Sequence, residues 1–544
     1  MRSGSRSAGA LWALVAVLAA GAPSAAAQRP GIDVFLYHFD IDLPDTGAAF
    51  SAVANVAFTR TPAAGDALTL DLVGLHVDSV DNSTTADSLA RRFTYDGKSL
   101  RVPLGAVTGR AIGRVTVYYH GVPGDGLAIA TDSSGRRSAF ADDWPERARY
   151  WLPLVDAPAD KAAVEFTVDA PARWRVVANG RLLDTLDLGA GRTRWIWRET
   201  HPIPTYTMVI AAGPLVESEH RPAESNGVRT PVRVWTFPED SAFADSVPFR
   251  SVTDVVETLE RVVGPFPYEK LAHVESSTRF GGMENATAIF YARRPYVTRR
   301  MGESVVRHET AHQWFGDAVT ARDFHHLWLS EGFASYFDLV VGAALHGDSV
   351  LAQGMRADAE AYRKSAVVGR PIIDTAEHDV GKLLNENNYQ KGAWVLHMLR
   401  HQLGDSTFFR GVRDYYAAYR DSSVSSEQFQ AVMERRARKK LDWFFAQWLG
   451  QPGYPQLDVS WKPNAFNQRV TITVTQTQPA AWGVFRLPDV PVELRDAAGH
   501  TARRSLSVDG PSTLARIDAP FTPTELVVDP DGTLLLTATV HSER

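Results

Sequence analysis

The chain has 544 residues, 44% of them hydrophobic and 22% charged, with a formal net charge of −6. That much apolar sequence can fill about three cores, and the negative balance disfavours nucleic acid or an anionic membrane surface as the main partner. There is no cysteine, which excludes disulfides and lipid attachment through an N-terminal cysteine and leaves core size and any bound metal to supply stability.

Residues 1–27 read as a secretory signal peptide. Arg2 and Arg6 give a positive start, Ala10 to Ala20 an apolar stretch, and Ala25-Ala26-Ala27 a small-residue cleavage site before Gln28. Gly21, Pro23 and Ser24 end the apolar run too early for a comfortable membrane span. No later segment reaches the apolar length of a spanning helix, so the expectation is an exported protein, periplasmic or extracellular, with no stable membrane insertion after cleavage.

From Asp33 to about Gly213 the sequence is written in short strands. Phe35, Tyr37, Phe39, Ile41 and Leu43 alternate with more polar neighbours, and Gly/Pro/Asp-rich turns recur. Near Phe249 the period changes. Val252, Val255, Val256, Leu259, Val262 and Val263 have helical spacing, stopped by Gly264-Pro265. Helical patterns dominate to about Leu449, and Ser425 with Gln428 fits a capping box. The run Arg435-Arg436-Ala437-Arg438-Lys439-Lys440 reads as a solvated helix end, where cations favour the helix dipole. After Gly450-Gln451-Pro452-Gly453 strands return: Val470, Ile472 and Val474 alternate with threonines, Asp531-Gly532 signals a turn, and Leu534 to Val540 is strand-like. The divisions expected are an N-terminal all-β domain over 28–214, a catalytic domain over 215–449 and a β-sandwich over 450–544.

The chemistry concentrates in His308-Glu309-Thr310-Ala311-His312, followed after 18 intervening residues by Glu331. Residues four apart on a helix share a face, so His308 and His312 can present their imidazoles to one metal ion, and Glu331 would complete a His2Glu set with a fourth position open for chemistry. Glu309 is placed to contact a metal-bound water rather than the metal. His325 and His326 fall inside the interval but read as helix-start residues, since the ligand set is complete without them. Upstream lies Gly281-Gly282-Met283-Glu284-Asn285, whose paired glycines let backbone approach a ligand closely and whose Glu284 supplies negative charge. Two further elements are Tyr389 in Tyr389-Gln390-Lys391-Gly392, and Arg149-Tyr150-Trp151-Leu152-Pro153 continuing through Asp156, Pro158 and Lys161.

With these motifs in view, the chain resembles the zinc aminopeptidases of peptidase family M1, in the gluzincin group. The resemblance implies a multidomain α+β protein: an N-terminal β-saddle domain, a thermolysin-like α/β catalytic domain and a C-terminal β-sandwich, in a form without the C-terminal helical domain of many relatives and so with a more open cleft. It implies one Zn2+ per chain held by His308, His312 and Glu331, with Glu309 as general base and Tyr389 as the phenol that stabilises the oxyanion. Glu284 would hold the free α-amine of a peptide, Gly281, Gly282, Met283 and Asn285 would line its backbone, and Asp338 would orient a ligand imidazole. Where relatives place a second amine-holding Gln or Glu, this chain has Trp144. The expectation is that Trp144 and Phe280 wall the first specificity pocket and favour neutral or apolar first residues, while Asp142, Asp143 or Glu146 replaces the missing acceptor. The rival readings are an endopeptidase or epoxide hydrolase on the same site, and a peptide-binding scaffold without turnover. Substrate identity and subunit association are left open.

Overall fold

The computed structural model describes residues 31–82, 91–225, 227–464 and 468–543; the stretch read as a signal peptide lies outside them. The N-terminal part is a seven-stranded sheet in the spatial order Arg181–Gly189, Arg192–Pro204, Lys161–Pro171, Ile32–Asp42, Phe50–Arg60, Ala111–Gly121, His76–Asn82. A four-stranded sheet built from Leu127–Thr131, Arg137–Ala141, Arg175–Ala178 and Ile210–Gly213 accompanies it. Alternation buries Tyr37, Phe39, Ile41 and Leu43, as their period of two requires. Phe35 departs from the pattern. The register slips between Val34 and Leu36, so Val34 takes the buried position and Phe35 is only half-buried.

The central part joins a five-stranded mixed sheet to a stack of helices. The sheet order is Val216–Glu219, Val232–Thr236, Leu271–Ser276, Ala288–Ala292, Gly282–Met283, the middle three strands running parallel. Three of these strands, Leu271–Ser276, Gly282–Met283 and Ala288–Ala292, lie in sequence read as mainly helical. Every residue of Leu271–Ser276 is buried, and strands covered on both faces lose the alternation that identifies a half-exposed one. The predicted helix forms at Val252–Val262, and Ser425 caps Ser426–Ala437 through a capping box in which the Ser425 N–H donates to Gln428 Oε1 at 2.9 Å. The basic run closes that helix with Arg436 paired to Asp414 and Lys440 to Glu434, all at the surface. A four-stranded and a three-stranded sheet make up the C-terminal part, with Val470, Ile472, Val474, Val492, Leu494 and Leu506 buried between them. No described helix is long and apolar enough to cross a membrane.

The segment from Arg149 to Lys161 fastens the β-rich part to the helices. Arg149 Nε donates to Asp156 Oδ2 at 2.8 Å, and Lys161 Nζ donates to the carbonyls of Asp317 and Ala318 at 2.6 and 2.9 Å. On the other side, Asn179 Nδ2 donates to the Ala286 carbonyl at 2.6 Å, and the Gly180 N–H to Thr287 Oγ1 at 2.7 Å. The turn after the Gly281–Asn285 motif is therefore held from outside its own domain.

Candidate metal centre and active site

The helix Glu303–His312 places His308 and His312 one turn apart, and the helix Trp328–His346 packs against it with Glu331 in its first turn. The two Nε2 atoms are 3.2 Å apart, and each lies 3.4 Å from Glu331 Oε2. A tetrahedral ion with ligand bonds near 2.0–2.1 Å separates its donors by roughly 3.3–3.4 Å, so this triangle fits one face of a zinc site. The proton inventory agrees. His312 Nδ1 lies 3.1 Å from the Phe315 carbonyl and 3.0 Å from Ser330 Oγ. A carbonyl only accepts, so Nδ1 carries the hydrogen and Nε2 turns a lone pair toward the triangle. Glu331 Oε2 is buried and without a hydrogen-bond partner among the described residues. The His312 lone pair and an orphaned carboxylate oxygen, with the His308 Nε2 beside them, mark a place for a cation.

The electrostatics register a surplus of negative charge at the same point, which favours a proton on His312 where no metal is bound. Burial pushes the His312 pKa down, but Glu331, Glu284 and Glu309 outweigh it and lift it to about 10. Burial would raise Glu331, yet the two imidazoles hold it at about 2. Glu309 is driven well above the usual carboxylate range, by burial first and then by Glu284 and Glu331, with His312 opposing. Glu284 rises to about 7 for the same leading reason.

These groups line a cleft of about 230 Å³ together with Trp144, Phe280, Gly281, Gly282, Met283 and Tyr389. Tyr389 stands on a π-helical turn, Asn387–Lys391, that leads into the helix Gly392–Leu403, and its ring stacks on His308 at 6.0 Å. Gly282 is on the edge strand of the central sheet. A Cβ there would overlap the Glu309 carboxylate, so only glycine lets the strand pass this close. Gly282→Ala is expected to leave the fold intact while lowering kcat/KM about a hundredfold, because displacing Glu309 by even 1 Å is that costly; unchanged kinetics would show that Glu309 has room to move.

Three expectations are corrected. Asn285 does not reach the cleft; it is fully buried behind it. Asp338 accepts from Ser304 Oγ at 2.6 Å and Arg307 Nε at 2.7 Å, bracing the helix that carries His308 rather than bonding to an imidazole. None of the three acids near Trp144 lines the cleft. Asp142 is taken by Arg147 Nη2 at 2.6 Å and the Arg279 N–H at 3.1 Å, Asp143 is buried against Trp151 Nε1 at 2.8 Å with its pKa pushed well up by burial, and Glu146 faces Arg149. Trp144 lines the cleft beside Phe280, packing edge-on against it and against Phe324, both at 5.7 Å. His325 and His326 stay apart from the triangle, on the turn Phe324–His326, with His326 Nδ1 2.8 Å from Ser426 Oγ.

Sequence reasoning missed three contributors. Leu384 lines the cleft, Ser330 seats His312, and Gln313 ties the two motifs together by accepting from the Thr287 N–H at 2.8 Å and donating to the Glu284 carbonyl at 3.0 Å. Ser330 and Gln313 neighbour motif residues, but adjacency in sequence does not tell where a side chain points.

Comparison with known proteins follows the same lines. The profile of the Peptidase family M1 domain matches residues 251–448, and that of the Peptidase M1 N-terminal domain residues 36–207. Aminopeptidase N of Streptomyces lividans is 27% identical over 470 residues, covering 82% of this chain and 53% of that protein. Probable aminopeptidase 2 of Sulfurisphaera tokodaii is 28% identical over 330 residues, 58% of this chain and 41% of that one. The chain thus spans about half the length of the curated relatives it matches. Among solved structures, aminopeptidase A of Legionella pneumophila in complex with aspartic acid superposes with a TM-score of 0.79 at 18% identity, over 94% of this chain and 60% of that one. An M1 zinc metallopeptidase of Deinococcus radiodurans gives 0.66 at 23%, over 77% of this chain and 94% of that one. A shared two-part profile, the shared fold and a zinc-compatible His2Glu triangle leave one assignment: the chain belongs to peptidase family M1.

Proposed function

We propose that this protein is a zinc aminopeptidase that removes the N-terminal residue from peptides. The observation that carries the proposal is the placement of Glu284, a buried carboxylate in the same cleft as the donor triangle, beside the edge strand Gly282–Met283. When bound at His308, His312 and Glu331, zinc would supply an acidified water and a Lewis acid for the scissile carbonyl. Glu309, fixed against Gly282, accepts the proton of the attacking water on its carboxylate and returns it to the leaving amine. Tyr389 donates its phenolic hydrogen to the carbonyl oxygen as negative charge builds there. Glu284 pairs with the substrate ammonium, which restores its carboxylate form and sets how much peptide fits before the reacting bond. Trp144, Phe280 and Leu384 give the first side chain an apolar wall, favouring neutral or apolar residues. Export rests on the sequence of residues 1–27.

The test compares a peptide with its N-acetylated twin. The free peptide should be cleaved and the blocked one ignored, and Glu284→Ala should raise KM for the free peptide roughly 10–100-fold, the worth of a charge-assisted hydrogen bond. Equal cleavage of the blocked peptide would turn the reading toward an endopeptidase.

A further inference from the structure

A second cavity lies away from the metal triangle. It encloses about 900 Å³ between the hairpin Arg181–Gly189/Arg192–Pro204 and the edge of the central sheet at Val216–Glu219, and shares no residue with the cleft. Its floor is aromatic. Trp195 and Trp197 occupy alternate positions on one strand and so face the same side, with Trp235 across from them. Both indoles are 5% exposed, and both ring N–H groups are without a hydrogen-bond partner among the described residues. Native structures pair nearly all such buried donors with protein or ordered water, so two neighbouring orphans in one cavity mark donors open to an incoming acceptor.

The charge around them is positive. Three arginines line the cavity against two carboxylates, together with Lys270, whose Nζ donates to the Ala178 and Thr287 carbonyls and whose pKa burial lowers to about 7. One carboxylate, Glu217, is already met by Arg233 at 3.0 Å; the other, Glu269, accepts from the Thr200 backbone N–H at 3.3 Å on Oε1, while its Oε2 is buried without a hydrogen-bond partner among the described residues. Arg175 and Arg181, both exposed, have no acidic partner among the described residues. Arg175 lies 5.9 Å over the Trp195 ring, and Lys270 Nζ lies 5.3 Å over Trp197. Part of the rim is apolar, with Leu182 at 42% exposure paired across the strands with Trp197. Unspent N–H donors, unpaired guanidiniums and an aromatic floor share one complement.

We propose that this cavity binds a small organic acid with an apolar body, its carboxylate held by Arg175, Arg181 and the indole N–H groups and its apolar part lying on Trp195, Trp197 and Leu182. A free acyl acid and the C-terminus of a short apolar peptide present that same chemistry. Isothermal titration calorimetry of the full protein with decanoate, decan-1-ol, and N-acetyl-Leu-Leu-Phe as acid and as amide separates the sources. At least one carboxylate should bind saturably and more tightly than its neutral counterpart. The Arg175→Ala/Arg181→Ala double variant should weaken that binding at least about tenfold, as loss of charge-assisted bonds does, while cleavage of an amino-acid anilide stays unchanged and shows the fold intact. Trp197→Phe, which keeps an aromatic side chain and removes the indole N–H, should weaken it too. No saturable binding by either acid, or binding indifferent to the two arginines, as a carboxylate seated at the metal would be, overturns the proposal.

Discussion

Glu309→Gln is expected to lower kcat by about 10²–10⁴ while the protein still binds one zinc ion, because general acid–base catalysis is worth about that much and glutamine cannot carry the proton. The substitution keeps shape and removes only charge, which matters in so tight a place: Glu309 is buried, with Gly282 against its carboxylate. The ligands His308, His312 and Glu331 form their triangle without it. Metal content and anilide hydrolysis measured on the same preparation separate the two roles. Full activity in the variant would remove Glu309 from the reaction; loss of zinc along with activity would make it a ligand instead.

Stripping the metal with a chelator is expected to abolish turnover and to lower the thermal midpoint by several degrees, both restored by zinc. The stability effect follows from what surrounds His312. Glu284, Glu309 and Glu331 are all buried within reach of it, and with no metal bound their charge is offset only by protons taken up on His312 and on the carboxyls. An ion that binds the folded chain alone adds about 4 kcal/mol at a thousand times its dissociation constant. In His312→Ala the triangle loses a corner, so added zinc should neither restore activity nor raise the melting midpoint. A chelated protein that melts and turns over like the untreated one would mean that the His2Glu triangle holds no functional ion.

The local parts of this site were legible in sequence because local geometry is set by helix periodicity. His308 and His312 must share a face, and a capping box or a Gly-Pro stop acts within one turn of its own residues. The strands missed in the central region, such as Leu271–Ser276, lack any such local mark, since burial on both faces erases alternation. The acids beside Trp144 failed as amine holders for a different reason. Arg147, Arg279 and Trp151, two of them near in sequence and one far, claim Asp142 and Asp143 first, and nothing in the spacing of Asp142-Asp143-Trp144 announces that.

By itself, then, the sequence determined the donor types, the two imidazoles on one helical face, the motif that carries Glu284, and the order of β-rich, helical and β-rich parts. Only the tertiary structure decided that Glu331 closes a 3.4 Å triangle, that Gly282 stands against Glu309, that Asp338 serves Arg307 and Ser304, and that Asn285 lies behind the cleft. The physical reason is range. Backbone periodicity fixes neighbours within a turn or a strand, whereas meetings between separate elements are selected by the burial and hydrogen bonding of the whole packed chain.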